Sequence, residues 1–374
     1  MKNGKIHIQV IGVGGGGGNA VNHIAESNSD CAQFIVVNTD LMALNALNIE
    51  KKVQIGERLT KGFGSGANPE IGKKAAEEDY EKISKMVENA DLVFLATGLG
   101  GGTGTGATPV IAKAAKAAGA LIVAVVTLPF STEGSKREEI AKKGLDELRQ
   151  IVDSVICIPN DRITKLAGDE MPINEAFRLS DKVLNDAFTA VANLIVEVGI
   201  VNIDYNDIVT VFKEKGESMV GFGDGIGEGS AVKAVRYAMA SPLLDRNDIM
   251  GAKQVLISFV SGNDVTLKDF NDAIRIVHNE IKGEANVIFG VITRKKFMSK
   301  TEVTLIATGL PEINSCEKKP RVPKPIGNAV QVSMDFLPAE EGLFANQDPT
   351  LIAGVNYDTP TYIRWGRKLI ESVA

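Results

Sequence analysis

Short runs of valine, isoleucine and leucine alternate with helix-like segments over roughly the first 160 residues of the chain. Apolar runs of this length, bounded by turn residues, are typical of strands buried on both faces. Their regular alternation with helices predicts an α/β fold with a mostly parallel sheet. The predicted strands lie near residues 5–12, 33–38, 91–97, 120–127 and 153–158.

Asn68, Pro69 and Glu70 mark the start of a helix within this unit. Asn is a favoured N-cap, Pro fits the first helical position, and an acidic residue in the first turn complements the positive end of the helix dipole. The helix is predicted to continue to about Ala90.

A long amphipathic segment extends from Ile173 to Val198, with apolar residues at helical spacing. It is predicted to be one continuous helix that stops at Gly199. Residues 205–310 then show a second, smaller α/β pattern. That pattern consists of strand-like runs at 253–259, 287–292 and 303–307 and a helix-like run at 267–282.

The last 64 residues differ in character, because they hold seven of the chain's thirteen prolines and show little periodicity until the end. Such a composition is typical of a flexible tail rather than of a packed core. The predicted organisation is a first domain at 1–172, a connecting helix at 173–199, a second domain at 200–310, a linker at 311–356 and a terminal peptide at 357–374.

Two glycine-rich segments follow predicted strands. The first glycine segment is Gly12–Gly18, and the second is Gly100–Gly106, which reads Gly-Gly-Gly-Thr-Gly-Thr-Gly. Glycines let backbone N–H groups approach an anion, threonines add hydroxyl donors, and the helix that follows presents its positive end. Because the carboxyl ends of parallel strands share one edge of a sheet, one pocket can use both segments. A polyphosphate is the ligand that this arrangement favours.

The first glycine segment also permits a different interpretation. Gly12, Gly14 and Gly17 match the GxGxxG pattern, and Asp40 follows the next strand, where a dinucleotide-binding fold places a ribose-binding acid. An NAD enzyme is therefore an alternative. The second glycine segment argues against it, since a dinucleotide fold does not need another glycine and threonine cradle on a later strand.

Composition narrows the range of partners. A formal net charge of −6 argues against a nucleic-acid-binding surface, which needs dense Lys and Arg. The three cysteines are far apart and match neither a disulfide framework nor a zinc site, as expected of a cytosolic protein. No apolar run approaches the roughly 20 residues that span a bilayer, so direct membrane insertion is not expected.

The two glycine segments together resemble those of the tubulin and FtsZ superfamily of GTPases, and the second has the form typical of bacterial FtsZ. The resemblance extends over roughly residues 5 to 310. It implies a Rossmann-like GTPase domain, a long central helix and a second α/β domain. The other matching motifs are Val37–Asp40, Leu59–Glu70, Val126–Phe130 with Glu133 and Gly134, Ile158–Asp161 and Asn202–Asp207.

The resemblance also implies where GTP or GDP lies. On spacing alone, it is more common for a residue such as Phe177 to lie in the core and for one such as Asp181 to face solvent than for the two to bind a base. The family pattern instead has Phe177 stack on the base while Asp181 accepts hydrogen bonds from the guanine edge. Glu133 and Arg137 are implied at the ribose and the phosphates. The other implied contacts are Gly15, Gly16, Gly17, Gly18, Asn19, Gly101, Gly102, Thr103, Gly104, Thr105 and Asn160.

An acidic loop, Asn202–Asp207, lies beyond the other end of the long helix. That helix is roughly 40 Å long at about 1.5 Å per residue, so the loop is too far from a nucleotide beside Phe177 to act within one chain. A head-to-tail contact between subunits would bring the two together, and such a contact makes a filament if it does not close. The resemblance implies this arrangement, with Asn202, Asp204 and Asp207 as the catalytic residues.

In this interpretation Asp204 and Asp207 orient the attacking water and Asn202 shapes the loop. Mg²⁺ is expected on the nucleotide, with no metal ligand from protein side chains. The terminal peptide, around residues 358–368, resembles the FtsZ segment that binds membrane-tethering and division proteins. Tyr362 and the single Trp365 suit a segment that orders on binding. A terminal helix packed on its own domain is the alternative. The expected location is a mid-cell division ring at the inner face of the membrane.

Three positions depart from the family pattern: Gly18 and Ser65 occupy places where asparagine and alanine are common, and Leu128 replaces a basic or polar residue. Gly18 puts one side-chain contact to the nucleotide in doubt, although Asn19 remains, so binding is expected to survive. The change at Leu128 removes no mechanistic group. A GTPase that partitions plasmid or phage DNA, from the same superfamily, stays an alternative that differs mainly in its partners.

Overall fold

The computed structural model describes residues 6–27, 31–167, 172–197, 199–214, 216–241, 249, 251–281, 285–310, 351–352 and 355–356. The chain divides into two compact units, Met1–Ile313 and Asn314–Ala374. In the second unit, the described residues are two short antiparallel strands, Leu351–Ile352 and Val355–Asn356. The rest of the predicted linker and the whole terminal peptide lie outside the described residues.

The first half of the large unit alternates strands and helices, as predicted. Its elements are β1 (Ile8–Val13), α1 (Gly14–Ser27), β2 (Gln33–Asn38), α2 (Leu41–Ala46), β3 (Lys51–Gln54), α3 (Glu57–Thr60), α4 (Pro69–Glu78), α5 (Tyr80–Val87), β4 (Leu92–Gly98), α6 (Thr103–Ala117), β5 (Leu121–Leu128), α7 (Ser135–Arg149), β6 (Ser154–Pro159) and α8 (Asn160–Ala167). These six strands pair in parallel in the order β3-β2-β1-β4-β5-β6, which confirms the predicted sheet.

The second half continues the same sheet. Its elements are α9 (Ile173–Val196), α10 (Tyr205–Phe212), β7 (Glu217–Ile226), α11 (Ser230–Met239), β8 (Gln254–Ser261), α12 (Leu267–Ile281), β9 (Asn286–Thr293) and β10 (Lys300–Leu310). β7 pairs with β6 through Ile156 and Ser218, and β10, β8 and β9 follow in that order. The pairs β7–β10 and β10–β8 are antiparallel, so only the first half is purely parallel.

The long helix α9 is continuous, as predicted, and ends at Val196. Its Phe188 is buried with its ring edge-on to Phe34 and Phe94, at centroid distances of 6.1 and 5.2 Å. Leu194 lies in the same core cluster as residues from both halves of the sheet. α9 therefore packs against both halves. Among the described residues, no helix has the length and apolar character needed to cross a bilayer.

The prediction of a single helix from Pro69 to about Ala90 is wrong, because the chain breaks at Asp79 into α4 and α5. The Asp79 carboxylate accepts a hydrogen bond of 2.7 Å from the Gly56 N–H, far away in the sequence. This contact fixes Asp79 in a non-helical conformation. A tertiary interaction therefore overrides helical periodicity at this point.

Candidate functional site

Two helices begin side by side at the carboxyl edge of the parallel strands. β1 and β4 are neighbours, with Val13 opposite Thr97. α1 begins at Gly14 directly after β1, and α6 begins at Thr103 a few residues after β4. Both helices therefore direct unpaired N–H groups and the positive ends of their dipoles to one place, which is the arrangement that binds anions.

Most of the first glycine segment is helical rather than a loop between β1 and α1, because residues from Gly14 onward are the first turns of α1. The glycines serve close packing. A β-carbon added at Gly17 would lie 2.2 Å from the carbonyl oxygen of Ala96, and one at Gly12 would lie 2.4 Å from the carbonyl oxygen of Gly17. Without side chains, α1 can start immediately beside the end of β4.

The two glycine segments touch each other. Gly14 has a left-handed φ of +74°, and a β-carbon there would lie 2.8 Å from the backbone nitrogen of Gly104. A β-carbon at Gly104 would in turn lie 2.6 Å from the Thr97 hydroxyl oxygen. Any side chain at either position would push the segments apart. We call the surface that they form together the glycine cradle (residues 12–19 and 100–106).

The predicted contacts in the cradle divide into open and buried positions. Gly15, Gly16 and Asn19 are exposed, and Gly101 is half-buried with open space beside its Cα. Gly18 is buried, and a β-carbon added there would lie 3.0 Å from the Leu47 side chain and 3.1 Å from the Val36 side chain. The other buried positions are Gly17, Gly102, Thr103, Gly104 and Thr105. The open positions are the ones whose backbone a ligand could approach directly.

A chain of buried hydroxyl groups links the cradle to the loop that precedes α4. The Thr103 hydroxyl lies 2.7 Å from the Thr39 hydroxyl and 3.0 Å from the Ser65 hydroxyl. Separately, the Thr105 hydroxyl accepts a hydrogen bond of 3.0 Å from the Gly100 N–H. Thr39 was not among the site residues predicted from the sequence. It lies in the Val37–Asp40 motif at the end of a strand, and this position could have indicated a place near the cradle.

Glu133 and Arg137 lie beside the second glycine segment. The Glu133 carboxylate accepts a hydrogen bond of 2.9 Å from the Phe130 N–H in a short 3₁₀ turn, Ser131–Glu133, and forms an ion pair with Arg137. A β-carbon at Gly100 would lie 3.0 Å from the carbonyl oxygen of Arg137. The structure therefore brings this predicted pair to the cradle.

Asp181 and Asn160 lie where α9 packs against α1 and α8. The Asp181 carboxylate accepts a hydrogen bond of 3.0 Å from His23 on α1, one turn after Asn19. Burial raises the pKa of the Asp181 carboxyl above its ordinary value, and the neighbouring His23 opposes that rise. The buried Asn160 accepts a hydrogen bond of 3.1 Å from the Ser180 hydroxyl.

His23 was not among the residues predicted from the sequence, although its spacing of four residues from Asn19 places both on one face of α1. His23 is partly exposed, with 45 % of its side chain accessible. Phe177 lies in α9 one turn before Asp181. Its side chain is outside the described part of the structure.

The acidic loop lies at the opposite edge of the sheet. Tyr205, which follows Asp204, donates a hydrogen bond of 2.7 Å to the carbonyl oxygen of Asp91. Asp91 immediately precedes β4, whereas the cradle follows β4. α9 separates the two regions and has 24 residues, which is about 36 Å at ~1.5 Å per residue. Within one chain, the predicted catalytic residues therefore do not meet the cradle.

The acidic side chains also stabilise their own loop. Asp204 is the N-cap of α10 and accepts a hydrogen bond of 2.9 Å from the Asp207 N–H. Asn202 accepts one of 2.7 Å from the Gly199 N–H, just past the end of α9. No group of three or more His, Cys, Asp or Glu within the described residues could hold a metal ion.

The sheet, the paired glycine segments and the central helix define a GTPase-type nucleotide-binding fold. Residues 7–168 match the GTPase domain of the Tubulin/FtsZ family, and residues 216–311 match the C-terminal domain of the FtsZ family. The structure is similar to an empty FtsZ dimer from M. jannaschii, at 38% identity and a TM-score of 0.77. That match covers 82% of this chain and 89% of the M. jannaschii chain. The chain belongs to the FtsZ family, which confirms the resemblance, and it carries this family's GTPase domain.

A point mutant of M. jannaschii FtsZ, with one tryptophan replaced by tyrosine, matches equally well, at 38% identity and a TM-score of 0.77, over 82% of this chain and 92% of that one. Two CetZ proteins from Haloferax volcanii share the fold. CetZ1, solved as a GDP-bound monomer, is 22% identical, and the match covers 83% of this chain and 96% of the CetZ1 chain. CetZ2, solved as a GTPγS-bound protofilament, is 20% identical, and the match covers 83% of this chain and 95% of the CetZ2 chain. Both give a TM-score of 0.71.

Proposed function

We propose that this protein binds GTP in the glycine cradle and hydrolyses it when subunits stack head to tail into a filament. The observation that carries the proposal is the separation of its two functional regions. The cradle lies at the carboxyl edge of the parallel strands, and the acidic loop lies at the amino edge. A complete site then needs the cradle of one subunit and the acidic loop of the next.

Nucleotide binding follows from the groups around the cradle. The exposed backbone of Gly15, Gly16 and Gly101, together with two helix N-termini, suits the phosphates. The cation of Arg137 suits the phosphates or sugar, while the carboxylate of Glu133 suits the ribose hydroxyls. Guanine would lie against α1 and α9. The base contacts are Asn19, Asn160 and Asp181, with Phe177 stacked on the ring.

Hydrolysis needs water positioning and charge stabilisation rather than covalent chemistry. In the proposed mechanism, Asp207 and the free oxygen of Asp204 accept hydrogen bonds from the attacking water. Asn202 keeps the loop in place through its contact with Gly199. Mg²⁺ is proposed as the ion that accompanies the nucleotide, where it neutralises part of the phosphate charge.

The contact between subunits is heterologous, because a nucleotide face meets a different, acidic face. Such contacts repeat along a line unless the rotation closes a ring. The FtsZ dimer and the CetZ2 protofilament among the similar structures support self-association of this kind. The domain boundaries proposed above assign nucleotide binding to residues 1–172 and activation to 200–310.

We further propose a role in the division ring, in the cytoplasm at the inner face of the membrane. The C-terminal domain match to the FtsZ family supports this role. Tethering partners would bind residues 358–368, which lie outside the described residues. A plasmid- or phage-partitioning GTPase is the alternative, and fluorescent fusions that formed no mid-cell ring would favour it. An NAD enzyme stays the weaker alternative and predicts NAD binding.

The test is GTP turnover per subunit, measured in Mg²⁺ over a range of protein concentrations. Turnover near zero at low concentration with a steep rise above a threshold is the expected result, because the site forms between subunits. A rate per subunit that does not change with concentration would place catalysis within one chain and would contradict the proposal.

A further inference from the structure

The loop before α4 has an unusual backbone. Several of its residues adopt left-handed φ values, which L-residues other than glycine avoid because the β-carbon approaches the following carbonyl. Ala67, with φ +56°, and Lys61, with φ +53°, are strained in this way. Gly62, Gly64 and Gly66 share the left-handed conformation but have no β-carbon, so they adopt it without this strain. Contacts to the rest of the molecule must therefore hold this loop, residues 61–68, in place.

Ser65 supplies such a contact. Its side chain is buried, with 6 % of its surface accessible, and its hydroxyl lies 3.0 Å from that of Thr103. A β-carbon at Gly102 would lie 2.3 Å from the Ser65 hydroxyl oxygen, so only glycine at that position lets the loop dock here. The buried hydroxyl pair directly joins the loop to the glycine cradle.

Thr103 is the centre of this contact. Its hydroxyl has one proton and lies within hydrogen-bond distance of both Ser65 and Thr39. If Thr103 donates its proton to a phosphate oxygen, Ser65 and Thr39 must both donate to Thr103. The anion would polarise this chain and strengthen both bonds. Without a phosphate, Thr103 can donate to one hydroxyl and accept from the other, so the contact persists.

We propose that Ser65 is a positioning residue that keeps the loop docked on the cradle in every nucleotide state. The proposal rests on the proposed function, because it takes Thr103 as a phosphate contact. Alanine, the common residue here in the family pattern, has no hydroxyl and would remove the link between the loop and Thr103, while the hydrogen bond from the Leu41 N–H to the Gly62 carbonyl would remain. The serine therefore reduces the difference in loop order between the GDP-bound and GTP-bound forms.

Docking of the loop also affects the protein surface, because the loop carries the exposed Phe63. This side chain is 84 % exposed, and the Phe63 N–H donates a hydrogen bond of 3.0 Å to the carbonyl of Thr60, the last residue of α3. A docked loop holds an exposed aromatic ring in a fixed place beside the cradle. Because a neighbouring subunit would meet this face, Ser65 would keep the face in order after hydrolysis.

Hydrogen exchange of the full chain tests this proposal. The Phe63 and Asn68 amides, which donate to Thr60 and Ser65 carbonyls, report loop docking. We expect Ser65→Ala to speed their exchange about fivefold in the nucleotide-free and GDP-bound forms, as the loss of one buried hydrogen bond predicts. With a non-hydrolysable GTP analogue, the difference from the wild type should nearly vanish.

Thr39 provides matched controls. Thr39→Val removes the far hydroxyl of the chain and should speed exchange at the same amides, whereas Thr39→Ser keeps the hydroxyl and should change it little. Equal exchange in Ser65→Ala and the wild type, without nucleotide, would overturn the proposal. If no guanine nucleotide changed exchange in any variant, the proposed function would fail instead, and the nucleotide-free comparison would still decide the role of Ser65.

Discussion

The two edges of the parallel strands are built in opposite ways. The cradle edge consists largely of backbone, where Gly14 and Gly17 lie so close to neighbouring atoms that no side chain fits. The acidic edge consists of exposed side chains, where Asp204 and Asn202 cap their own loop. The cradle is thus a preformed part of the fold, whereas the acidic loop presents its chemistry outward. Under the proposed function, the cradle can bind nucleotide within one chain, whereas the acidic loop acts only on the nucleotide of a neighbouring subunit.

The largest expected effect separates catalysis from binding at the acidic edge. Asp207→Ala should lower GTP turnover about 10³-fold, the scale of a lost acid–base group, because the attacking water loses an acceptor. Affinity for GTP should stay within about twofold, since the cradle belongs to the other edge. Steady-state turnover and equilibrium binding measure the two quantities. The control is Asp146→Ala, which removes an exposed carboxylate from α7. Loss of GTP binding in Asp207→Ala would contradict the assignment.

The next effect tests whether the cradle is part of the fold. Gly17→Ala should reduce the free energy of unfolding by about 3 kcal/mol, because the added methyl meets the Ala96 backbone, which cannot move aside. Gly15→Ala is the matched control, since nothing lies within 4 Å of its added β-carbon. It should stabilise α1 by about 0.5 kcal/mol through helix propensity. Denaturant unfolding checks both values, and equal stabilities would refute the packing argument.

A charge placed in the cradle tests anion binding without disturbing the packing. Gly101 has open space and an ordinary φ, so Asp fits there. Gly101→Asp should weaken GTP binding on the order of 100-fold through repulsion of the phosphates at close range. The neutral, similar-sized Gly101→Asn should weaken it far less. Isothermal titration of both variants decides the point, because equal losses would indicate a steric effect rather than an electrostatic one.

The smallest effect concerns pH. The proposed guanine contact requires an ionised Asp181, whose pKa is raised by burial. Affinity for GTP should therefore decrease as the pH is lowered and Asp181 takes up a proton. His23→Ala removes the group that lowers this pKa, and the loss should therefore begin at a higher pH. Equilibrium binding of GTP, measured from pH 8 downward, should show the affinity of His23→Ala falling before that of the wild type. His7→Ala is the control, and identical pH profiles for His23→Ala and the wild type would contradict the role of His23.

Sequence patterns predicted the parts of the fold that depend on local signals. Buried apolar strands, the uninterrupted periodicity of α9 and the glycine segments all specify structure within a short window. β7 escaped prediction because its Gly223 is there for a tertiary reason: a β-carbon would lie 2.1 Å from the Ala234 carbonyl oxygen of α11. Neighbours distant in sequence also decide the break at Asp79 and the contact of His23 with Asp181.

Mixed subunits test the central claim most directly. Gly101→Asp keeps an intact acidic loop but a blocked cradle, and Asp207→Ala keeps an intact cradle but an inactive loop. If the site forms between subunits, an equal mixture should recover about a quarter of wild-type turnover, because one junction in four pairs the two intact halves. Sedimentation should show both variants in the same filaments. A co-assembled mixture that stayed as inactive as either variant alone would contradict the account.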